Sequence, residues 1–217
     1  VSPLRPAEIS DLPHFDDWRF VLGAIHGEFT LESFTSAGEF VRRVTAAADA
    51  AGHHPDLSVR YPGTVRIRLR THDADAVTTL DIDLARTISA IAADLGARSE
   101  PTRTSAIEIA IDTTDPDRIR PFWAAVLGYR EDGRWNLSDP DGIGPPMWFQ
   151  ETEQPRTERQ RFHIDISVAH DIAEQRVAAA IAAGGRLVTD RFARSWWVLA
   201  DADGNEACVC TWLDREA

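Results

Sequence analysis

Residues 49–55 read Asp-Ala-Ala-Gly-His-His-Pro, and residues 71–81 read Thr-His-Asp-Ala-Asp-Ala-Val-Thr-Thr-Leu-Asp. Three of the chain's seven histidines, His53, His54 and His72, thus fall in one short segment. Histidine is the side chain whose unperturbed pKa lets it both give and take a proton near neutrality, so the segment reads as an acid/base site. Upstream, Phe34, Ala37, Val41, Val44 and Ala48 recur at three- and four-residue steps after Ser33, which predicts an amphipathic helix ended by Gly52 and Pro55. His53 and His54 then sit at a helix C-terminus, where the last carbonyls favour an imidazolium. Asp49, one turn back, is placed to orient or charge-pair with His53.

Downstream, a turn at Tyr61-Pro62-Gly63 leads into Val65-Arg66-Ile67-Arg68-Leu69-Arg70. This strict alternation predicts a half-buried strand, with His72 just beyond its end. Thr78-Thr79-Leu80-Asp81 reads as a capping-box-like start to a second helix, whose stripe is Leu80, Leu84, Ile88, Ile91 and Leu95. The candidates therefore lie at a helix end, a strand end and a helix start, the usual places for chemistry on a rigid scaffold.

On these residues the segment resembles the pterin-4a-carbinolamine dehydratases. Asp49, His53-His54-Pro55, Tyr61, Thr71-His72-Asp73 and Val77-Thr78 with Asp81 carry the resemblance, and Trp18-Arg19-Phe20 with Gly27-Glu28-Phe29 resembles the family's first hairpin. It spans residues 1–98. The Tyr61 to His72 interval is one residue longer than usual, and Leu57 stands where some members carry Trp. The resemblance implies a four-stranded antiparallel sheet against helices and dehydration of 4a-hydroxytetrahydropterin to quinonoid dihydropterin. It implies His53 and His72 as proton donor and acceptor, His54 orienting the pterin, Asp49 setting the state of His53, Asp81 positioning the site, and Thr71 and Asp73 contacting substrate. The pterin is then the substrate, and no cofactor is required.

Composition narrows the alternatives. The net charge is −12 and neither half is basic, which argues against nucleic acid or an anionic membrane as partner. All 23 basic residues are arginine, so lysine Schiff-base chemistry and a Walker-type phosphate loop are excluded. No apolar run approaches the ~20 residues of a membrane span, residues 1–30 lack a signal-peptide layout, and Cys208 and Cys210 are too close for an ordinary disulfide. A cytoplasmic protein is expected.

The polar stretch Gly-Ala-Arg-Ser-Glu-Pro-Thr at residues 96–102 predicts a link between a unit over residues 1–100 and another over 103–217. The second part repeats itself. Trp135-x-Leu137-x-Asp139-x-Asp141-Gly142 returns 62 residues later as Trp197-x-Leu199-x-Asp201-x-Asp203-Gly204. Strands over 106–112 and 161–168, each followed by a helix, and strand-like Met147-Trp148-Phe149 and residues 207–212 complete two β-α-β-β-β halves. With that repeat, Phe122-Trp123-Ala124-Ala125-Val126-Leu127-Gly128-Tyr129 resembles glyoxalase-like domains of the vicinal oxygen chelate superfamily, over residues 103–214. The whole chain is thus expected to be α+β: the dehydratase-like sheet with helices, then a paired βαβββ domain.

This second resemblance implies a pocket with one residue from each of four strands, at Glu108, Gln150, His163 and Cys208. Gln is a weak ligand and Cys favours softer ions, so no tightly bound metal is expected, with Cys208 a small buried residue and His163 a satisfied core histidine. Most of the tryptophans are expected in the core, while a concave aromatic sheet suits a flat apolar small molecule. Two other functions are compatible: a glyoxalase-like lyase, dioxygenase or binder with the dehydratase part as scaffold, or an interaction protein. Both resembled families commonly oligomerise, so a homodimer is expected.

Overall fold

The computed structural model describes residues 2–154, 163–168, 170–211 and 213–214. The chain divides into two compact units, Val1–Ala106 and Ile107–Ala217. Among the described residues no helix is long and apolar enough to cross a membrane.

The first unit opens with the short helix α1 (Pro6–Ser10) and the hairpin β1 (Trp18–Val21) and β2 (Ala24–Thr30). Leu22 and Gly23 both have positive φ, +45° and +74°, the backbone of a tight two-residue hairpin turn. Helix α2 (Phe34–Ala51) follows, then β3 (Asp56–Arg60), β4 (Thr64–Leu69) and helix α3 (Thr79–Asp94). The strands run in the order β1-β2-β4-β3, all antiparallel. The alternation of β4 is realised: Val65, Ile67 and Leu69 are buried against the helices with Ile25 and Phe29 of β2. Arg66 and Arg68 take the other face. Trp18 sits opposite Gly27, where a Cβ would come within 3.2 Å of its ring, so the glycine makes room for the indole. The stripe of α2 is Ala37, Phe40, Val44 and Ala48, whereas Phe34, expected on it, is 54% exposed. The expected stripe of α3 likewise loses Leu80, which is 39% exposed.

Residues 98–103 are not a free link. Arg98–Ser99 forms a fifth strand, β5, antiparallel to β2, and Pro101–Arg103 makes a single 3-10 turn. Glu28 of β2 explains the attachment. Its buried carboxylate accepts from Arg66 Nε at 2.7 Å, and Arg103 lies 3.3 Å from the other oxygen, in ion-pair range without hydrogen-bond geometry. The division therefore falls after Ala106 rather than near residue 100. A fragment of residues 1–106 is expected to fold alone. One ending at 97 loses β5 and the Arg103 charge beside a buried carboxylate, at a cost of about 1–3 kcal/mol. Urea unfolding of the two fragments checks this, and equal midpoints would refute it.

One row across the outer face of this sheet is Arg19, His26, Arg68 and Asp56. Burial, and next the Arg68 charge, hold the His26 imidazole below its ordinary 6.5, although Val21's carbonyl and Asp56 favour its charged form. The unfolded chain then takes up this proton first. Stability present above pH 6.5 is lost as pH falls toward the folded value. His26→Gln should therefore flatten the decline in urea midpoint between neutrality and about pH 5. An unchanged decline would contradict the assignment.

The second unit is built twice. β6 (Ile109–Thr113), α4 (Pro116–Leu127), β7 (Arg130–Asp132), β8 (Asn136–Ser138) and β9 (Met147–Glu151) are followed by β10 (Ile164–Ser167), α5 (Ala173–Ala182), β11 (Arg186–Thr189), β12 (Trp196–Ala200) and β13 (Glu206–Cys210). The sheets have matching orders, β6-β9-β8-β7 and β10-β13-β12-β11, each with its first and last strands parallel. The expected strand ends at Arg161 and Trp212 lie outside the described residues. Both helices and the inward faces of both sheets share one core that includes Phe122, Trp123, Leu137, Phe149, Trp197 and Val209. Of the expected core tryptophans, Trp123 and Trp197 are buried, while Trp135, Trp148 and Trp196 remain partly exposed.

The repeated Asp-x-Asp-Gly has a physical reason. Asp139 accepts from the backbone N–H groups of Asp141, Ile143 and Gly144 at 3.0, 3.0 and 2.6 Å. These bonds, that of Gly144 foremost, hold its carboxyl below the usual carboxylate range. Asp201 accepts from the N–H groups of Asp203 and Asn205 and from the Trp123 indole at 2.9, 2.8 and 2.9 Å. The first aspartate of each echo thus knots the turn between two strands.

Candidate active site

Two helix ends and one strand end assemble the site in the first unit. At the end of α2, Gly52 adopts the left-handed conformation at φ +61°, and the N–H groups of Gly52 and His53 return to Asp49 and Ala48 at 3.2 and 3.1 Å. This paired closure of the last carbonyls is a Schellman turn. It reverses the chain and delivers His53 into the interior, 8% exposed, while His54 stays outside.

At the start of α3, Thr78 is the N-cap and Asp81 the third helical residue. Asp81 is wholly buried, and its Oδ2 accepts from the Thr78 N–H and from the Thr71 hydroxyl, each at 2.7 Å. Thr71 and Thr78 hydroxyls are themselves 2.7 Å apart. The other oxygen, Oδ1, meets His53 Nε2 at 2.7 Å. A buried carboxylate is tolerated when its lone pairs are met in this way. While Asp81 is ionised its oxygens only accept, so His53 Nε2 carries the hydrogen and Nδ1 is the nitrogen left to exchange a proton.

Thr71 also fixes the second histidine motif. It ends the run from β4 and bridges to Ala76, closing a small loop whose 3-10 turn is His72–Ala74. Arg70 secures the same loop by donating to the Asp75 carbonyl at 2.7 Å. His72 and Asp73 are exposed on it, and among the described residues His72 has no side-chain partner.

Asp81 therefore binds both His53 and Thr71, the residue preceding His72. One expectation is corrected. Asp49 does not reach His53: it pairs with His54, Nε2 to Oδ1 at 3.1 Å, and both side chains are well exposed. Once Gly52 turns left-handed, the i,i+4 spacing of a helix face no longer holds for His53. Thr78 joins the network although the sequence marked it only as a helix cap and a residue of the resemblance, not as a site residue.

Residues 2–91 match the family model "Pterin 4 alpha carbinolamine dehydratase". The chain is 40% identical over 90 residues to a Thermosynechococcus vestitus protein named "Putative pterin-4-alpha-carbinolamine dehydratase", an alignment covering 41% of this chain and 94% of that one. The chain belongs to the pterin-4a-carbinolamine dehydratase family. A Chloroflexus aurantiacus protein of the same name is 43% identical over 89 residues, covering 41% of this chain and 95% of that one. Among solved structures, the transcriptional coactivator/pterin dehydratase from Brucella melitensis is 32% identical with a TM-score of 0.40, covering 42% of this chain and 99% of that one. The dehydratase unit is joined to a second domain: residues 108–210 match the family model "Glyoxalase-like domain".

The four pocket candidates of the glyoxalase-like domain do not assemble as expected. Glu108 is exposed just before β6, and Gln150 stands opposite Asp112. Asp112 lies four residues beyond Glu108 along the chain, so Gln150 is offset from Glu108 by about 13 Å in the strand direction. His163 is not a core histidine: its side chain is 51% exposed and its Nε2 lies 3.3 Å from Asp165 Oδ1. Cys208 is buried and stands opposite Asp165 in the β10–β13 register. Burial, and then the neighbouring Asp165, push its thiol up to about 12. The donor atoms of His163, Asp165 and Cys208 all lie within 4.8 Å of one another, and Glu108 is outside this group. Asp165 was missed by the sequence reading, although its place two residues after His163 on one strand face was available as a signal.

Proposed function

We propose that the dehydratase unit converts 4a-hydroxytetrahydropterin to quinonoid dihydropterin by histidine acid/base catalysis, and that the glyoxalase-like domain binds a small molecule. The observation that supports the first part is one buried carboxylate, that of Asp81, hydrogen-bonded both to His53 and to Thr71 beside His72. The reaction is redox-neutral: a proton must reach the leaving 4a-hydroxyl and another must leave a ring nitrogen. Two histidines divide that work, one as acid and one as base. Asp81 fixes the His53 tautomer, so His53 exchanges its proton through Nδ1. His72, exposed on its pinned loop, supplies the second imidazole. His54, steadied by Asp49, orients the pterin at the rim, and Asp73 beside His72 offers a hydrogen-bond acceptor to it.

The substrate itself carries the hydrogen-bonding groups, and neither proton transfer calls on a further cofactor. The test is an assay of the purified full chain with synthetic 4a-hydroxytetrahydropterin, followed by the absorbance of the quinonoid product. Acceleration over the spontaneous reaction is expected, and its absence would sink the reading.

A further inference from the structure

We propose that Arg70 is a positioning residue for His72: its guanidinium holds Asp75 in a left-handed conformation that closes the loop on which the histidine stands. The role in catalysis rests on the reading of His72 as the second acid/base group. The two histidines reach the site by different means. His53 is fixed through its ring, by Asp81. His72 is exposed and, among the described residues, its ring has no hydrogen-bond or ion-pair partner, so its place is inherited from the backbone beneath it. That backbone is a closed loop. Thr71 and Ala76 exchange N–H to carbonyl bonds at 3.0 and 3.4 Å, and between them the Asp75 N–H returns to the His72 carbonyl at 3.1 Å. The chain gets from the 3-10 turn back to Ala76 through Asp75 at φ +49°, ψ +36°. A residue with a Cβ is disfavoured there by roughly 5- to 30-fold in population, whereas glycine adopts the conformation freely.

Arg70 opposes that penalty. Its Nη2 donates to the Asp75 carbonyl at 2.7 Å and lies 2.5 Å from the Asp75 carboxylate. One nitrogen thus meets both the backbone and the side chain of the residue in the left-handed region. The grip is braced from another side, because a Cβ on Gly23 in the β1–β2 turn would stand 3.8 Å from the guanidinium. The other two arginines of the alternating run serve the sheet: Arg66 pairs with Glu28 of β2 and Arg68 with Asp56 of β3. Arg70 serves the loop. Its Nε–H is buried without a partner, so the guanidinium gives up a hydrogen bond to stay in this place. Once the clamp is gone the loop opens at Asp75, and a shift of about 1 Å in His72 is enough to cost a proton transfer on the order of 10²-fold.

The test uses the full chain and Arg70→Met, which keeps a long apolar stem and removes the guanidinium. Two quantities are read: pterin dehydration, and hydrogen exchange at the Thr71 and Asp75 amides, whose bonds close the loop. In Arg70→Met kcat is expected to fall about 10- to 100-fold with KM and melting temperature little changed, and the two amides to exchange roughly 5- to 30-fold faster. Adding Asp75→Gly should restore both, because glycine holds the left-handed conformation without a clamp, whereas a loss of packing on the sheet would not be rescued from the loop. Arg68→Ala removes the neighbouring guanidinium of the same strand face and should leave both quantities at their native values. Native exchange in Arg70→Met would overturn the proposal, as would fast exchange with native kcat. Failure of Asp75→Gly to restore the rate, or an effect of Arg68→Ala as large as that of Arg70→Met, would do the same. A native chain that does not dehydrate the pterin would sink the reading of the site and the catalytic role with it. The exchange rates report on the clamp alone, so the two failures are told apart.

Discussion

His53→Ala is expected to slow dehydration of 4a-hydroxytetrahydropterin by about 10²- to 10⁴-fold, the range for loss of one positioned acid or base. That corresponds to about 2.7–5.5 kcal/mol of transition-state stabilisation. The geometry says why His53 should sit at the upper part of this range. Its ring is buried and its Nε2 is committed to Asp81, so no water or neighbouring side chain is held in the same orientation once the ring is gone. His72→Ala should fall in the same range with little loss of stability, because that ring is exposed and packs no core. Single-turnover rates with both variants, beside their urea midpoints, check the pair. Wild-type rates in both would place the chemistry elsewhere.

Asp81→Ala is expected to destabilise the dehydratase unit by about 3–5 kcal/mol, as when one partner of a buried charged pair is removed. The cost has three parts at one atom group: the Thr78 N–H at the helix start, the Thr71 hydroxyl and the His53 ring all lose their acceptor. Asp81→Asn separates folding from function. Its amide oxygen still caps the helix and accepts from Thr71, so the stability loss should be nearer about 1–2 kcal/mol. The amide nitrogen now donates toward His53, which forces the ring hydrogen onto Nδ1 and removes the basic nitrogen from the reacting side. The expected signature is a large fall in kcat with KM little changed, marking Asp81 as a positioning residue. A denaturation curve shifted as far by Asn as by Ala, or an Asn variant with native kcat, would reject the tautomer argument.

The four pocket candidates of the second unit were separated for a comparable reason. Only Glu108 and His163 looked like ordinary ligands while each strand was read by itself, and strand registry then separated Glu108 from Gln150 and put Asp165 beside Cys208. Parallel strands joined through a helix are distant in sequence, so their registry is decided by which faces the core buries.

What the sequence determined by itself was every feature that rests on short-range backbone chemistry. The Schellman closure at Gly52, the capping box from Thr78 to Asp81, the alternating strand of Val65, Ile67 and Leu69, and the twice-built βαβββ order all follow from residues within a few positions of one another. The tertiary structure alone decided which carboxylate serves which histidine. By local spacing Asp49 belonged to His53, but the left-handed Gly52 carries His53 off the helix face, and packing of α2 against α3 brings it to Asp81, 28 residues on. The same holds for residues 98–103, polar and link-like in isolation, which the buried charge of Glu28 draws onto the first sheet. In each case the deciding energy is that of burying a charge with its partners, and those partners are set by the packing of distant segments rather than by their neighbours in the chain.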